Sequence, residues 1–180
     1  MFYCAASNRA VIEAIREEYE QETGRAVDIQ YGPSQTLLSS MEVSRSGDLY
    51  LPADDSYLKV GLEKQLIAEV LDIAKMHVVV AVAKGNPKDI HNFSDLTRPG
   101  VRLVQANVDA AAVGKVTKQT LQASGLWDQL EAATAGYRTT VTDVANDILV
   151  GAADAGIVYD AVLHTYPDLE YVELPEFQDA

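Results

Sequence analysis

The chain has 180 residues, 48% of them hydrophobic, and a formal net charge of −13. That is apolar material enough for one large domain or two small lobes around a real core. The 14 lysines and arginines are scattered singly, which excludes a face for phosphate backbones and hence a nucleic-acid partner.

Residues 2–6 read as an apolar strand that meets Ser7-Asn8. Residues 8–23 follow as a helix, with Val11, Ile15 and Tyr19 at i, i+4 spacing as its expected buried face, and Gly24 as its stop. Residues 26–31 alternate as a second strand, which runs through Gly32-Pro33 into a helix starting at Ser34. A third strand, 48–51, is closed by Pro52-Ala53-Asp54-Asp55, and a helix over 56–65 is expected to be capped by Asp54 or Asp55. Strand then helix three times over predicts parallel pairing, with any ligand at the carboxyl ends of the strands.

The second half repeats the alternation. Residues 77–83 (HVVVAVA) form a β-branched run expected to be buried on both faces, and at seven residues it is far too short to cross a bilayer. A helical turn at 93–96, a strand at 101–105, helices at 110–124 and 142–150, and strands at 155–159 and 171–174 complete the prediction. Trp127 is expected to be a core anchor. A lobe boundary is expected at 73–76.

Twice, at Ser7 and at Ser34, a strand ends in a serine at a helix start. Such a turn directs unpaired backbone N–H groups and a hydroxyl beyond the strand end, which makes a seat for an anion. A serine there is also an ordinary N-cap. The acidic net charge does not oppose an anion, because local dipoles act at short range while distant carboxylates are screened within about 8–10 Å. The single cysteine, Cys4, excludes an intramolecular disulfide and reads as a small core residue. His77, His91 and His164 have no zinc-site spacing, and no nucleophile elbow, P-loop or dinucleotide fingerprint occurs. The sequence predicts neither an enzyme nor a bound cofactor.

Several stretches are similar to motifs of the periplasmic molybdate-binding proteins of ABC importers, a branch of the type II solute-binding fold. Ala5-Ala6-Ser7 resembles that family's A-A-S motif, and Tyr31-Gly32-Pro33-Ser34 its G-x-S turn. The stretch from Gly47 to Asp54 resembles G-A-D-V-F-x-S-A-D, Lys84-Gly85-Asn86-Pro87 resembles K-G-N-P, and the stretch from Ala111 to Lys115 resembles the P-A-G-R loop. Residues 154–159 match D-A-G-I-V-Y.

The resemblance implies an α/β, two-lobe type II periplasmic-binding-protein fold with doubly wound, mostly parallel sheets and a hinge. Lobe 1 would comprise 1–76, joined by 168–180, and lobe 2 would comprise 77–167. Relative to the family, the C-terminal part of lobe 1 would be missing. The implied ligand is a tetrahedral oxyanion, molybdate or tungstate, held by neutral donors between lobes. The hydroxyls and N–H groups of Ser7 and Ser34, the N–H groups of Val113 and Val141, and the phenol of Tyr159 would hold it. The alternative for Tyr159 is a core aromatic with a satisfied hydroxyl, and Arg138 is expected on the surface rather than at the anion. Asp143, Asp154 and Asp160 are expected in structural roles. The implied partners are the importer's membrane subunits, with a periplasmic or extracytoplasmic location and no direct membrane insertion. Alternatives are a binding protein for sulfate or phosphate, and the ligand-sensing domain of a transcriptional regulator.

Overall fold

The structure, a computed structural model, describes residues 1–178. The chain divides into two compact units, Met1–Ala74 and Lys75–Ala180. Among the described residues no helix is long and apolar enough to cross a membrane.

The first unit carries a three-stranded sheet in the order β2-β1-β3, from β1 (Phe2–Ala5), β2 (Ile29–Gly32) and β3 (Leu49–Leu51), all parallel. Its helices are α1 (Arg9–Thr23), α2 (Ser34–Ser44) and α3 (Ser56–Glu63). Tyr3, Leu37 and Met41 pack as a buried cluster, and the Tyr50 ring lies against it. Gly24 ends α1 in the left-handed conformation, its N–H on the Glu20 carbonyl. The Asp54 carboxylate takes the Ser56 N–H at 2.8 Å at the start of α3.

The face expected for α1 is not the buried one. Val11, Ile15 and Tyr19 are 56%, 54% and 42% exposed, and the half-buried stripe is Ile12, Glu13, Arg16 and Glu20. This polar stripe has partners: Glu20 accepts the Val27 N–H at 2.8 Å and Arg16 pairs with Glu13 at 2.8 Å. Long side chains can lay their aliphatic stems on a sheet while their heads stay paired, so helical spacing fixed the helix but not its rotation.

The second unit has a five-stranded mixed sheet in the order β6-β5-β7-β4-β8. Its strands are β4 (Val78–Ala83), β5 (Leu103–Ala106), β6 (Thr134–Arg138), β7 (Ala155–Tyr159) and β8 (Leu169–Val172). β5 runs parallel to β6 and β7, and β4 runs antiparallel to β7 and β8. The helices are α4 (Phe93–Thr97), α5 (Ala112–Ser124), α6 (Trp127–Ala133) and α7 (Val141–Leu149). β4 is the buried β-branched run the sequence predicted. Trp127, 4% exposed, is buried as predicted and opens a helix, α6, that was not. β6 was not anticipated either.

The segment 168–180 was expected in the first lobe. Its described part instead lays β8 beside β4, on the edge of the second unit's sheet, with Leu169 opposite Ala83 and Val172 opposite Val80. An open edge of β4 and burial of Leu169, Leu174 and Phe177 account for the docking. Residues 179 and 180 lie outside the described residues.

Candidate functional site

In the first unit, β1 and β2 are neighbours with Ala5 opposite Gly32. Ser7 and Ser34 each lie two residues beyond that pair, so both leave the carboxyl edge of adjacent strands, spaced about 4.8 Å apart. Ser7 sits in a 3-10 turn over Ala6–Asn8, is 6% exposed, and its Oγ is buried without a hydrogen-bond partner among the described residues. Such an orphan costs about 1–3 kcal/mol unless something outside the chain supplies a partner.

Ser34 is the first residue of α2 and is 1% exposed. The Ala53 N–H donates to its Oγ at 3.2 Å, and the Tyr50 phenol donates to its carbonyl at 2.9 Å. With an acceptor site on Oγ filled by Ala53, the Ser34 hydroxyl proton is left to donate outward. Pro33 precedes it as an N-cap with no side-chain hydrogen bond, so among the described residues the first N–H groups of α2 remain open donors. Burial pushes the Tyr50 phenol well above the ordinary tyrosine range, which keeps it protonated. The Arg9 guanidinium lies 4.4 Å from the centroid of the Tyr31 ring, two residues after Ser7.

In the second unit, three parallel neighbours end at one edge of the sheet: β5 leads to α5, β6 leads to α7, and β7 ends on Tyr159. Val113, Val141 and Tyr159 therefore share that edge, at 1%, 5% and 3% exposure. Val113 is the second residue of α5, whose N-cap Ala111 offers no side-chain acceptor. Gly114 lets this turn sit on the strand end, because a Cβ there would come within 2.5 Å of the Ala106 carbonyl. Val141 opens α7 behind a capping box in which Thr140 N donates to Asp143 at 2.9 Å and Asp143 N donates to Thr140 Oγ1 at 3.2 Å. Asp143 thus places a negative group in the first turn of α7, whereas the first turn of α5 carries none.

The remaining charged candidates are engaged elsewhere. Arg138 donates through Nε to Asp147 on α7 and through Nη1 to the Tyr137 carbonyl. Asp154 takes both Nε and Nη2 of Arg102, and this pairing holds its carboxyl below the usual range. Asp160 accepts the His77 N–H at 3.1 Å and lies 3.3 Å from its Nδ1. Among the described residues no group of three His, Cys, Asp or Glu could hold a metal ion.

Sequence reasoning missed the residues that build these ends. Asn107 Oδ1 takes the N–H groups of Asp109 (2.8 Å) and Ala110 (3.0 Å), shaping the turn into α5. Its own N–H donates to the Arg138 carbonyl at 2.8 Å, tying the ends of β5 and β6. An Asn directly after a strand, with Asp109 two residues on, was the available signal. Tyr50 and Ala53 had none, since they reach Ser34 only through the fold.

A family model described as bacterial extracellular solute-binding protein matches residues 1–179. The molybdate-binding protein ModA of Mycobacterium tuberculosis is 31% identical over 162 residues, covering 87% of this chain. The chain spans 59% of that relative's length. The periplasmic molybdate-binding protein of Azotobacter vinelandii superposes with a TM-score of 0.66 at 21% identity, covering 88% of this chain and 71% of that one. The sulfate-binding protein SubI of Mycobacterium tuberculosis superposes at 0.70 and 16% identity, covering 97% and 70%. These two likenesses show the fold, that of the type II periplasmic binding proteins.

Proposed function

The chain belongs to the bacterial extracellular solute-binding protein family, and from that premise we propose that it captures a tetrahedral metal oxyanion, molybdate or tungstate, for an ABC importer. The family is one of solute-binding proteins rather than enzymes. The anion would draw on the hydroxyls and N–H groups of Ser7 and Ser34 and on the donors at Val113, Val141 and Tyr159. Its working place would be outside the cytoplasm, and its protein partners the importer's membrane subunits.

The observation that carries this reading is the Ser7 hydroxyl, buried and without a partner among the described residues, at the strand end next to the one that presents Ser34. An oxyanion with four oxygens satisfies such an orphan while accepting from the open helix N–H groups. Charge-assisted hydrogen bonds of this kind contribute about 1.5–3 kcal/mol each. The relatives' names supply the choice of anion, and a cavity set by neutral donors would sort equally charged anions by size.

Titration calorimetry of the full chain with molybdate, tungstate, sulfate and phosphate tests the reading. Molybdate and tungstate should bind, and Ser34→Ala should weaken molybdate at least about tenfold, the equivalent of one such bond. A preference for sulfate or phosphate would reject the anion assignment, and a Ser7→Ala, Ser34→Ala double variant with parental affinity would reject the site.

A further inference from the structure

The proposed donors of α2 are held in place from β3, across the sheet. Tyr50 on β3 reaches Ser34 through its phenol, and Ala53 in the following loop reaches Ser34 through its N–H. The two contacts grip one residue at two atoms, the carbonyl and Oγ. The Tyr50 ring is itself fixed against the buried Tyr3, Leu37 and Met41.

We propose that Tyr50 is a positioning residue for anion binding: it fixes the first turn of α2 and strengthens the donor that turn presents. This rests on the reading of Ser34 as an anion donor. The carbonyl that Tyr50 engages belongs to the same peptide unit as the N–H of Gln35. A hydrogen bond accepted at one end of an amide polarises the other end, so the Gln35 N–H, one of the open donors of α2, becomes a better partner for an anion. Ala53 does the complementary work on the hydroxyl. By donating to Oγ it leaves the Ser34 proton directed away from the loop.

Tyr50→Phe removes the hydroxyl and keeps the ring in its apolar seat. In the ligand-free full chain, amide NMR should then show an upfield shift of the Gln35 proton and faster hydrogen exchange in the first turn of α2. Molybdate affinity should fall about threefold to tenfold, the range of a single neutral hydrogen bond. In a Ser34→Ala background, which keeps the carbonyl that Tyr50 engages, the same substitution should lower affinity by a similar factor and again move the Gln35 proton upfield. A residue that merely stabilises the fold would lower affinity without moving the Gln35 proton in either background, and that result overturns the proposal. An unmoved Gln35 amide, or an unchanged affinity in Tyr50→Phe, overturns it too. A parent chain that binds none of the four oxyanions while Gln35 still responds would overturn the anion reading and leave the link from Tyr50 to Ser34 standing.

Discussion

In the second unit β7 is buried along its whole length and β4 along all but its last residue, whereas in the first unit β2 and β3 contain no buried residue. The helices follow suit. α7 buries Val141, Val144, Ala145 and Ile148 at helical spacing, and none of α1's residues is buried. A parallel sheet needs apolar cover on both faces. In the first unit Leu37 and Met41 of α2 pack with Tyr3 of β1, whereas α1 offers only a half-buried, partly charged stripe. The second unit therefore holds most of the chain's burial, while the first presents two serine-led helix starts on a thinner foundation.

The strongest test of this contrast is a cavity in the better-packed unit. Leu103, fully buried in the middle of the sheet, should lose about 2–5 kcal/mol of stability on Leu103→Ala. Trp127, the single tryptophan and buried in the same unit, reports it as a shift in the denaturant midpoint of its fluorescence.

Cys4 offers the matching probe in the first unit. It is the single cysteine, fully buried on β1, and burial pushes its thiol up to about 12, against a smaller opposing effect of Arg9 and a small further push from Glu13. Almost no thiolate exists near neutral pH, so alkylation requires the unit to open. Labelling of Cys4 should begin at a lower denaturant concentration than the Trp127 transition. Coincident transitions would break the comparison.

A smaller effect separates the units by pH. The Asp154 carboxyl is held below the ordinary carboxylate value chiefly by its hydrogen bonds with Arg102. A depressed folded value means that the pair stabilises above the unfolded Asp value of about 3.9 and that this contribution disappears as pH falls through the lower folded value. Asp154→Asn should therefore flatten the acid limb of the stability profile read at Trp127. An unchanged acid limb would show the pair to be inert.

The smallest expected effect is on α1. Ile15→Ala, at a position 54% exposed, should change thermal stability by no more than about 0.5 kcal/mol. A loss of core size would mean that the exposed stripe is covered in solution.

Much of the fold was legible because punctuation and periodicity agreed. Gly24 and Gly125 closed helices, the run into Ala83 marked a buried strand, and three strand–helix repeats announced a parallel sheet. What failed were questions of partnership. β6 is an edge strand whose Ala135 and Gly136 carry no β signal, and α6 is only seven residues long and follows directly on the Gly125 stop of α5. The rotation of α1 depended on paired Glu and Arg side chains, which periodicity counts as solvent-facing. Ser7 and Ser34 were visible because a strand, a turn and a serine are adjacent in sequence. Tyr50 and Ala53 were not, because they reach Ser34 through hydrogen bonds 16 and 19 residues long in sequence, and for Asn107 only the local turn was legible, not its bond to Arg138.

The close seat of α5 on the end of β5 carries a mutational consequence. At position 114 even alanine brings a carbon into collision with backbone oxygens of Ala106 and Asn107, at 2.5 and 2.7 Å, and no rotamer can relieve a clash with Cβ itself. In a saturation scan this column should therefore empty without regard to charge, size or polarity.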